Sequence, residues 1–292
     1  MASAELRDTR RRIKSVQATM KITRAMELIA ASRIPKAQAR VTASKPYTNK
    51  LIEVIRNVGA ASGGAGHLLL EKREVRTVGV LLVSADRGLA GAYASSIIRL
   101  AESSVIEHRK AGREVRLFAV GRKAQSYFDY RGYHIEQSFL GITDTPGYGD
   151  ARAIANLVMD AYADGRVDAV QAFYTRYESA LTQTPRSFEL LPVEPPSTDG
   201  GAPTSSVDYS YEPSPDAILD RLLPRYVEAI VFNMLLESSA SEHSARRRAM
   251  KAATDNADEL IRVLTNVANR ARQAEITTEI SEIVGGAEAL NQ

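Results

Sequence analysis

The chain has 292 residues, 44% of them hydrophobic and 25% charged, enough for one large domain or two modest ones. It has no cysteine, which excludes disulfides, thiol catalysis and Cys-ligated metals, and no apolar run near the roughly 20 residues that span a bilayer. The net charge of +3 is uneven: residues 1–56 hold 13 Lys and Arg against 4 Asp and Glu, 57–215 hold 16 against 19, and 216–292 hold 9 against 12.

The first segment, residues 1–58, reads as one long helix. Leu6, Ile13 and Met20 are spaced by seven, and Val16, Met26, Ile29, Ala30, Ala37 and Val41 continue an apolar stripe. Pro35 should bend this helix, and the glycines of "ASGGAG" should end it. From about residue 75 to 192 the period changes. "TVGVLLVS", "REVRLFAVG", "YHIEQSFL" and "VDAVQAFYTRY" read as strands, with "SFELLPV" as a candidate fifth. Helices fall between them: about 91–110, "RKAQSYFDY", and "ARAIANLVMDAYADG" with Asp150 placed to cap it. Alternating strands and helices mean an α/β domain of Rossmann-like plan with a mostly parallel sheet. Residues 193–215, rich in Pro, Gly, Ser and Thr, read as a linker. The helical period returns over 216–292 through Ile218, Leu222, Val227, Ile230, Met234, Leu260, Leu264, Val267 and Ile276, with Pro224 expected to kink or delay it.

At 1.5 Å per residue the last helix approaches roughly 100 Å, too long to hide its stripe against a domain of this size. The first helix is apolar, Ala-rich and opposite in charge. The fold class expected is therefore α/β with a long antiparallel coiled coil of the N- and C-terminal helices.

The common catalytic signatures are missing. His67, His108, His134 and His243 show no i, i+3 or i+4 pair for a metal. Neither G-x-S-x-G nor G-x-x-x-x-G-K-[ST] occurs. "SADRGLAGAY", residues 84–93, sits between a strand and a helix, where α/β sheets hold ligands. Two readings stand: an anion loop, or a tight turn with Asp86 and Arg87 paired locally. The basic first helix admits a nucleic-acid arm, a targeting segment, a membrane-surface helix or a partner-facing surface. Residues 1–46 have no aromatics to stack bases, and the apolar face lacks Trp and Phe for a bilayer.

"RRIKSVQATMKITRAMELIAASR" near the start and "SARRRAMKAATDNADELIRVLTNVANRARQAEITTEISEIVGGAEAL" at the end resemble the gamma-subunit family of F-type ATP synthases, bacterial type. "LLVSADRGLAGAY" and "YSYEPSPDAILDRLLPRYVE" resemble it too, in the same order. The resemblance implies a rotor. Its coiled coil sits in a hexamer of alpha and beta subunits, and its α/β domain stands beside the epsilon subunit on the membrane c ring. It implies no catalytic site, no cofactor, no metal and no nucleic acid on this chain. The place implied is the cytoplasmic side of the cell membrane, as a peripheral subunit. The alternative is a nucleotide- or small-molecule-binding α/β protein built on the 84–93 turn.

The resemblance also implies contacts. Lys21, Arg24 and Met26 match the shaft segment facing the beta subunits, and Arg33 and Lys36 are expected to track acidic partner loops. Arg270, Arg272, Gln273, Glu275 and Glu279 match the stretch near the hexamer's catch loops. Asp208, Tyr209, Tyr211 and Glu212 match the foot near the c ring and epsilon. The outer face of residues 11–40 should lack large apolar anchors, because a turning surface must not stick. Two departures stand out: Pro35 inside the helix, and Ala90 where the family commonly has a cysteine.

Overall fold

The computed structural model describes residues 4–61, 67–193, 212 and 214–290. Its elements in chain order are α1 (Ala4–Ala61), β1 (Thr77–Val83), α2 (Tyr93–Lys110), β2 (Glu114–Val120), α3 (Arg122–Tyr130), β3 (Ile135–Phe139), α4 (Tyr148–Ala163), β4 (Ala169–Tyr177), β5 (Gln183–Leu191) and α5 (Pro215–Leu290). The chain divides into two compact units, Met1–Ala30 with Arg246–Gln292, and Ala31–Ala245. The start of α1 thus shares a unit with the end of α5, so the helices pair antiparallel.

In the first unit the seam follows an alternation of three and four. On α1 the positions withdrawn from solvent include Leu6, Thr9, Ile13, Val16, Met20, Thr23, Glu27 and Ala30. On α5 they include Met250, Thr254, Ala257, Ile261, Leu264, Ala268, Ala271 and Glu275. This is the 3.5-residue repeat of a coiled coil. The Thr23 and Thr254 hydroxyls meet across it at 2.8 Å. Several residues expected in the apolar stripe lie elsewhere: Ile29, Leu260, Val267 and Ile276 are 54%, 42%, 38% and 45% exposed. Register selects the seam, and Thr, Ala and Glu occupy it where those larger side chains do not reach.

In the second unit α1 keeps the same spacing through Ile34, Ala37, Val41, Ser44, Thr48, Leu51, Ile55 and Val58. Val41 packs with Leu236 and Ala240, and Asn233 Nδ2 donates to Thr48 Oγ1 at 2.7 Å. Pro35 and Pro46 lie inside α1 and Pro224 inside α5, and none ends or delays its helix. Both α1 prolines are exposed, away from the seam, where water can satisfy the carbonyl each leaves unbonded.

The sheet has the order β3-β2-β1-β4-β5, with β1 parallel to β2 and β4, β2 parallel to β3, and β5 antiparallel to β4. Strand alternation sorts β1 into two faces. Val78, Val80 and Leu82 pack with Ile97, Ile98 and Val105 of α2 and Phe128 of α3. Leu81 and Val83 pack in a second cluster with Ile154 and Val158 of α4, Leu51 and Ile55 of α1, and Leu223 and Val227 of α5. Asp150 does not precede its helix as expected. It is the third residue within α4, and its Oδ2 accepts from the N-cap Gly147 N–H at 2.7 Å.

Candidate partner-binding surfaces

The carboxyl-terminal edge of the parallel strands, where α/β sheets usually hold ligands, is filled by the chain itself. Asp86 turns inward. Its carboxylate accepts from Arg122 N at 3.1 Å, Thr143 N at 3.1 Å and the Thr143 hydroxyl at 3.0 Å. Burial pushes this carboxyl up, but the N–H groups of Gly141, Thr143 and Arg122 and the Thr143 hydroxyl outweigh it, holding it below the ordinary carboxylate value. The amide that opens α3, which an anionic ligand would use, is thus already bonded to a carboxylate. The local Asp86–Arg87 pairing expected from sequence is not what forms, because Asp86 takes these partners and Arg87 lies exposed.

Next to this turn lies α5. Ala85, Ala90, Tyr93, Ala94 and Ala245 form one cluster, and the Tyr93 hydroxyl donates to Ser238 O at 3.1 Å. Ala90 packs within this cluster and is 5% exposed. From β4, Thr175 O accepts from Ser241 Oγ at 3.2 Å, and Tyr177 N donates to Glu237 Oε2 at 3.2 Å. The Ala/Ser-rich run 238–245 lets α5 bed closely here. The ligand crevice of the alternative reading is therefore occupied by a helix. Among the described residues, no group of three or more His, Cys, Asp or Glu could hold a metal.

Outward surfaces come next. In the first unit an open groove of about 650 Å³ is lined by Met20, Lys21, Arg24, Ala25 and Leu28 of α1 and Thr254, Asp255 and Asp258 of α5. Its two walls carry opposite charges. Arg24 is 3.3 Å from Glu27, Lys251 is 3.2 Å from Asp255, and Arg262 is 3.0 Å from Asp258. Lys21 and Arg24 are exposed, and Met26 is half-buried on the same helix. The surface is not free of large apolar groups as expected: Ile22, Leu28 and Ile29 are 61%, 60% and 54% exposed. Arg270, Arg272, Gln273 and Glu279 are exposed and Glu275 is half-buried, at the end of the seam. Every described side chain from Ile276 to Ala287 is exposed.

In the second unit Lys36 is exposed, but Arg33 is not a free charge. Its guanidinium reaches both carboxylate oxygens of Asp144 in the β3–α4 loop. Neutralising Arg33 therefore also removes an intrachain ion pair. Sequence reasoning missed this pair because its members are 111 positions apart. Of the foot residues, Glu212 is exposed, while Asp208, Tyr209 and Tyr211 lie outside the described residues.

Comparison with known proteins accounts for this arrangement. The ATP synthase family model matches residues 5–290. The ATP synthase gamma chain of Kineococcus radiotolerans is 51% identical over 298 residues, covering 99% of this chain and 97% of that one. The ATP synthase gamma chain of Streptomyces avermitilis is 47% identical over 297 residues, covering 98% and 96%. Among solved structures, a chain of the Euglena gracilis mitochondrial ATP synthase (OSCP/F1/c-ring, rotational state 3) has the same fold. Its TM-score is 0.66 at 16% identity, covering 98% of this chain and 94% of that one. A chain of the Tetrahymena thermophila mitochondrial ATP synthase central stalk and c ring gives 0.62 at 23% identity, covering 80% and 99%. The chain belongs to the ATP synthase gamma-chain family.

Proposed function

We propose that this chain is the central-stalk rotor of a proton-translocating F-type ATP synthase, with the catalytic sites on its partners. One observation carries the reading: the two long helices pair as a coiled coil whose outer faces and last turns lie exposed. A shaft must resist bending, and two helices packed along a heptad seam do so better than one. Proton flow turns the c ring and this shaft, and the shaft drives the beta subunits through their catalytic states. ATP hydrolysis drives the reverse rotation.

Lys21, Arg24, Met26, Arg33, Lys36, Arg270, Arg272, Gln273, Glu275 and Glu279 are proposed to meet the alpha/beta hexamer. The exposure of Lys21, Arg24, Lys36, Arg270, Arg272, Gln273 and Glu279 supports this; Arg33 also serves Asp144. Attraction from the basic residues is soft, screened over about 8–10 Å at physiological salt. Asp208, Tyr209, Tyr211 and Glu212 are proposed to meet the c ring and epsilon. Among the described residues no helix is long and apolar enough to cross a membrane. The rotor reading carries with it a peripheral position on the cytoplasmic side of the cell membrane, held through the complex.

The test is reconstitution with cognate alpha and beta subunits, with and without residues 270–292. One copy per hexamer, with hydrolysis gained only when the chain is present and reduced by the truncation, supports the rotor. No complex, together with nucleotide binding by the chain alone, would overturn it.

A further inference from the structure

A rotor must pass torque between its helices and its α/β part, and within the second unit two kinds of contact join them. The first is the apolar cluster of Leu51, Ile55 and Val58 of α1 and Leu219, Leu223 and Val227 of α5 with the sheet and α4. Apolar burial is strong but non-directional, so it resists separation more than rolling or sliding. The second contact is polar. Tyr93, Tyr148, Thr175 and Tyr177 each bond α5 separately, but four consecutive residues of the β3–α4 loop, Thr143 to Pro146, gather bonds from α1 and α5 together.

From α1, Arg33 grips both Asp144 carboxylate oxygens, and Arg40 donates to Pro146 O. From α5, Ser239 Oγ donates to Asp144 O at 3.0 Å, and His243 Nε2 lies 3.3 Å from the same oxygen. From the turn after β1, Asp86 exchanges hydrogen bonds with Thr143 and also holds the start of α3. A single loop is thus tied to both long helices and to the body of the domain. Arg33 Nη1 faces both Asp144 oxygens, and charge-assisted hydrogen bonds of this kind are shorter and stronger than neutral ones. We propose that residues 143–146 are the torsional joint of this rotor, with Asp144 and Arg40 as positioning residues that lock α1 against the α/β domain. The proposal rests on the rotor reading. It assigns a task to the "SADRGLAGAY" turn, whose Asp86 anchors the joint instead of a ligand.

The experiment uses the complete membrane complex in sealed vesicles. ATP hydrolysis and ATP-driven proton uptake are measured on the same sample. The variants are Asp144→Asn, which keeps the loop carbonyl but loses the charge that faces Arg33, Arg40→Gln, and Asp144→Glu as the conservative control. Loss of this directional link should leave hydrolysis per assembled complex within about twofold of wild type. Protons taken up per ATP should fall about threefold in Asp144→Asn, fall less in Arg40→Gln, and return toward wild type in Asp144→Glu. A merely structural role would lower thermal stability and assembly yield while leaving that ratio untouched. An unchanged ratio in Arg40→Gln and in whatever Asp144→Asn complex assembles overturns the joint. A wild-type complex that lacks this chain, or does not need it for hydrolysis, sinks the rotor reading instead.

Discussion

Replacing Gly121 with Ala should be among the most damaging single changes available in the α/β domain. Gly121 precedes α3 with φ 95° and ψ 140°, a region other residues scarcely enter. That strain alone is worth about 1–3 kcal/mol. A Cβ here would also stand 2.8 Å from Ala85 C, 2.9 Å from Ala85 O and 3.0 Å from Ala85 N. Ala85 cannot retreat. Its carbonyl accepts from Lys123 N at 2.8 Å, and the preceding Ser84 N bonds Val120 O at 2.9 Å. Overpacking adds about 1–3 kcal/mol, for a total of about 2–6 kcal/mol. Gly132 is the control, because its φ of 73° carries strain but nothing lies within 4 Å of the Cβ position. Gly132→Ala should cost only about 1–2 kcal/mol. Urea denaturation of both variants beside wild type decides it. Equal losses would refute the argument that the Ala85 contact, and not φ alone, sets the cost.

The remaining predictions concern charge, the seam and the helix end. Asp86 has a depressed carboxyl, so the native state releases a proton that the unfolded chain retains; its stabilisation is present above the ordinary carboxylate range and is lost as pH falls through its lowered value. Asp86→Asn should therefore be less stable than wild type near neutral pH, with the gap closing on acid titration; a pH-independent gap would contradict the assignment. At the seam, the Thr23 and Thr254 hydroxyls hold two hydrogens for three contacts, each also reaching its own helix at Met20 O and Met250 O. Each single Thr→Val change should cost about 1 kcal/mol while the double change comes out near neutral, so a thermal double-mutant cycle giving additive losses would argue against a coupled pair. Amides of 276–287 should exchange fast in the isolated chain and become protected in the complex, whereas those of 250–268 are protected in both, which hydrogen exchange read by mass spectrometry will show.

The alternating elements of residues 75–192 were legible because the central strands β1 and β2 carry apolar runs, "VGVLLV" and "LFAV", and helices with apolar residues at helical spacing fall between the strands, both local signals; the edge strands β3 and β5 are more polar. The antiparallel helix pair was legible from length and stripe alone. The seam itself was not. Large apolar residues such as Leu260 and Val267 advertise burial, yet seam positions are set by register, and close approach favours Thr23, Ala257 and Ala268. Asp86 and Arg33 were visible as charges, but their partners lie 36, 57 and 111 positions away, beyond any local pattern. Pro35 and Pro46 stay inside a continuous α1, because both lie off the seam on the exposed face.

Helix α5 meets three environments in turn, and its composition follows them. Over residues 227–245 it is withdrawn from solvent on every side, so its acids need partners. Glu228 receives the Tyr148 hydroxyl at 2.7 Å and Arg225 at 3.1 Å, and Glu237 receives Tyr177 N. From 246 to 275 one stripe suffices, and Ala and Thr replace the bulky core residues. Beyond Glu275, Ile276, Ile280, Ile283 and Val284 recur at helical spacing while lying 45–71% exposed. An apolar stripe of that period gains nothing from water and is not covered by the chain's own fold. Helical order in this stretch depends on packing more than on propensity. The last turns are therefore best understood as half of a contact, with the other half supplied by the subunits proposed to surround them.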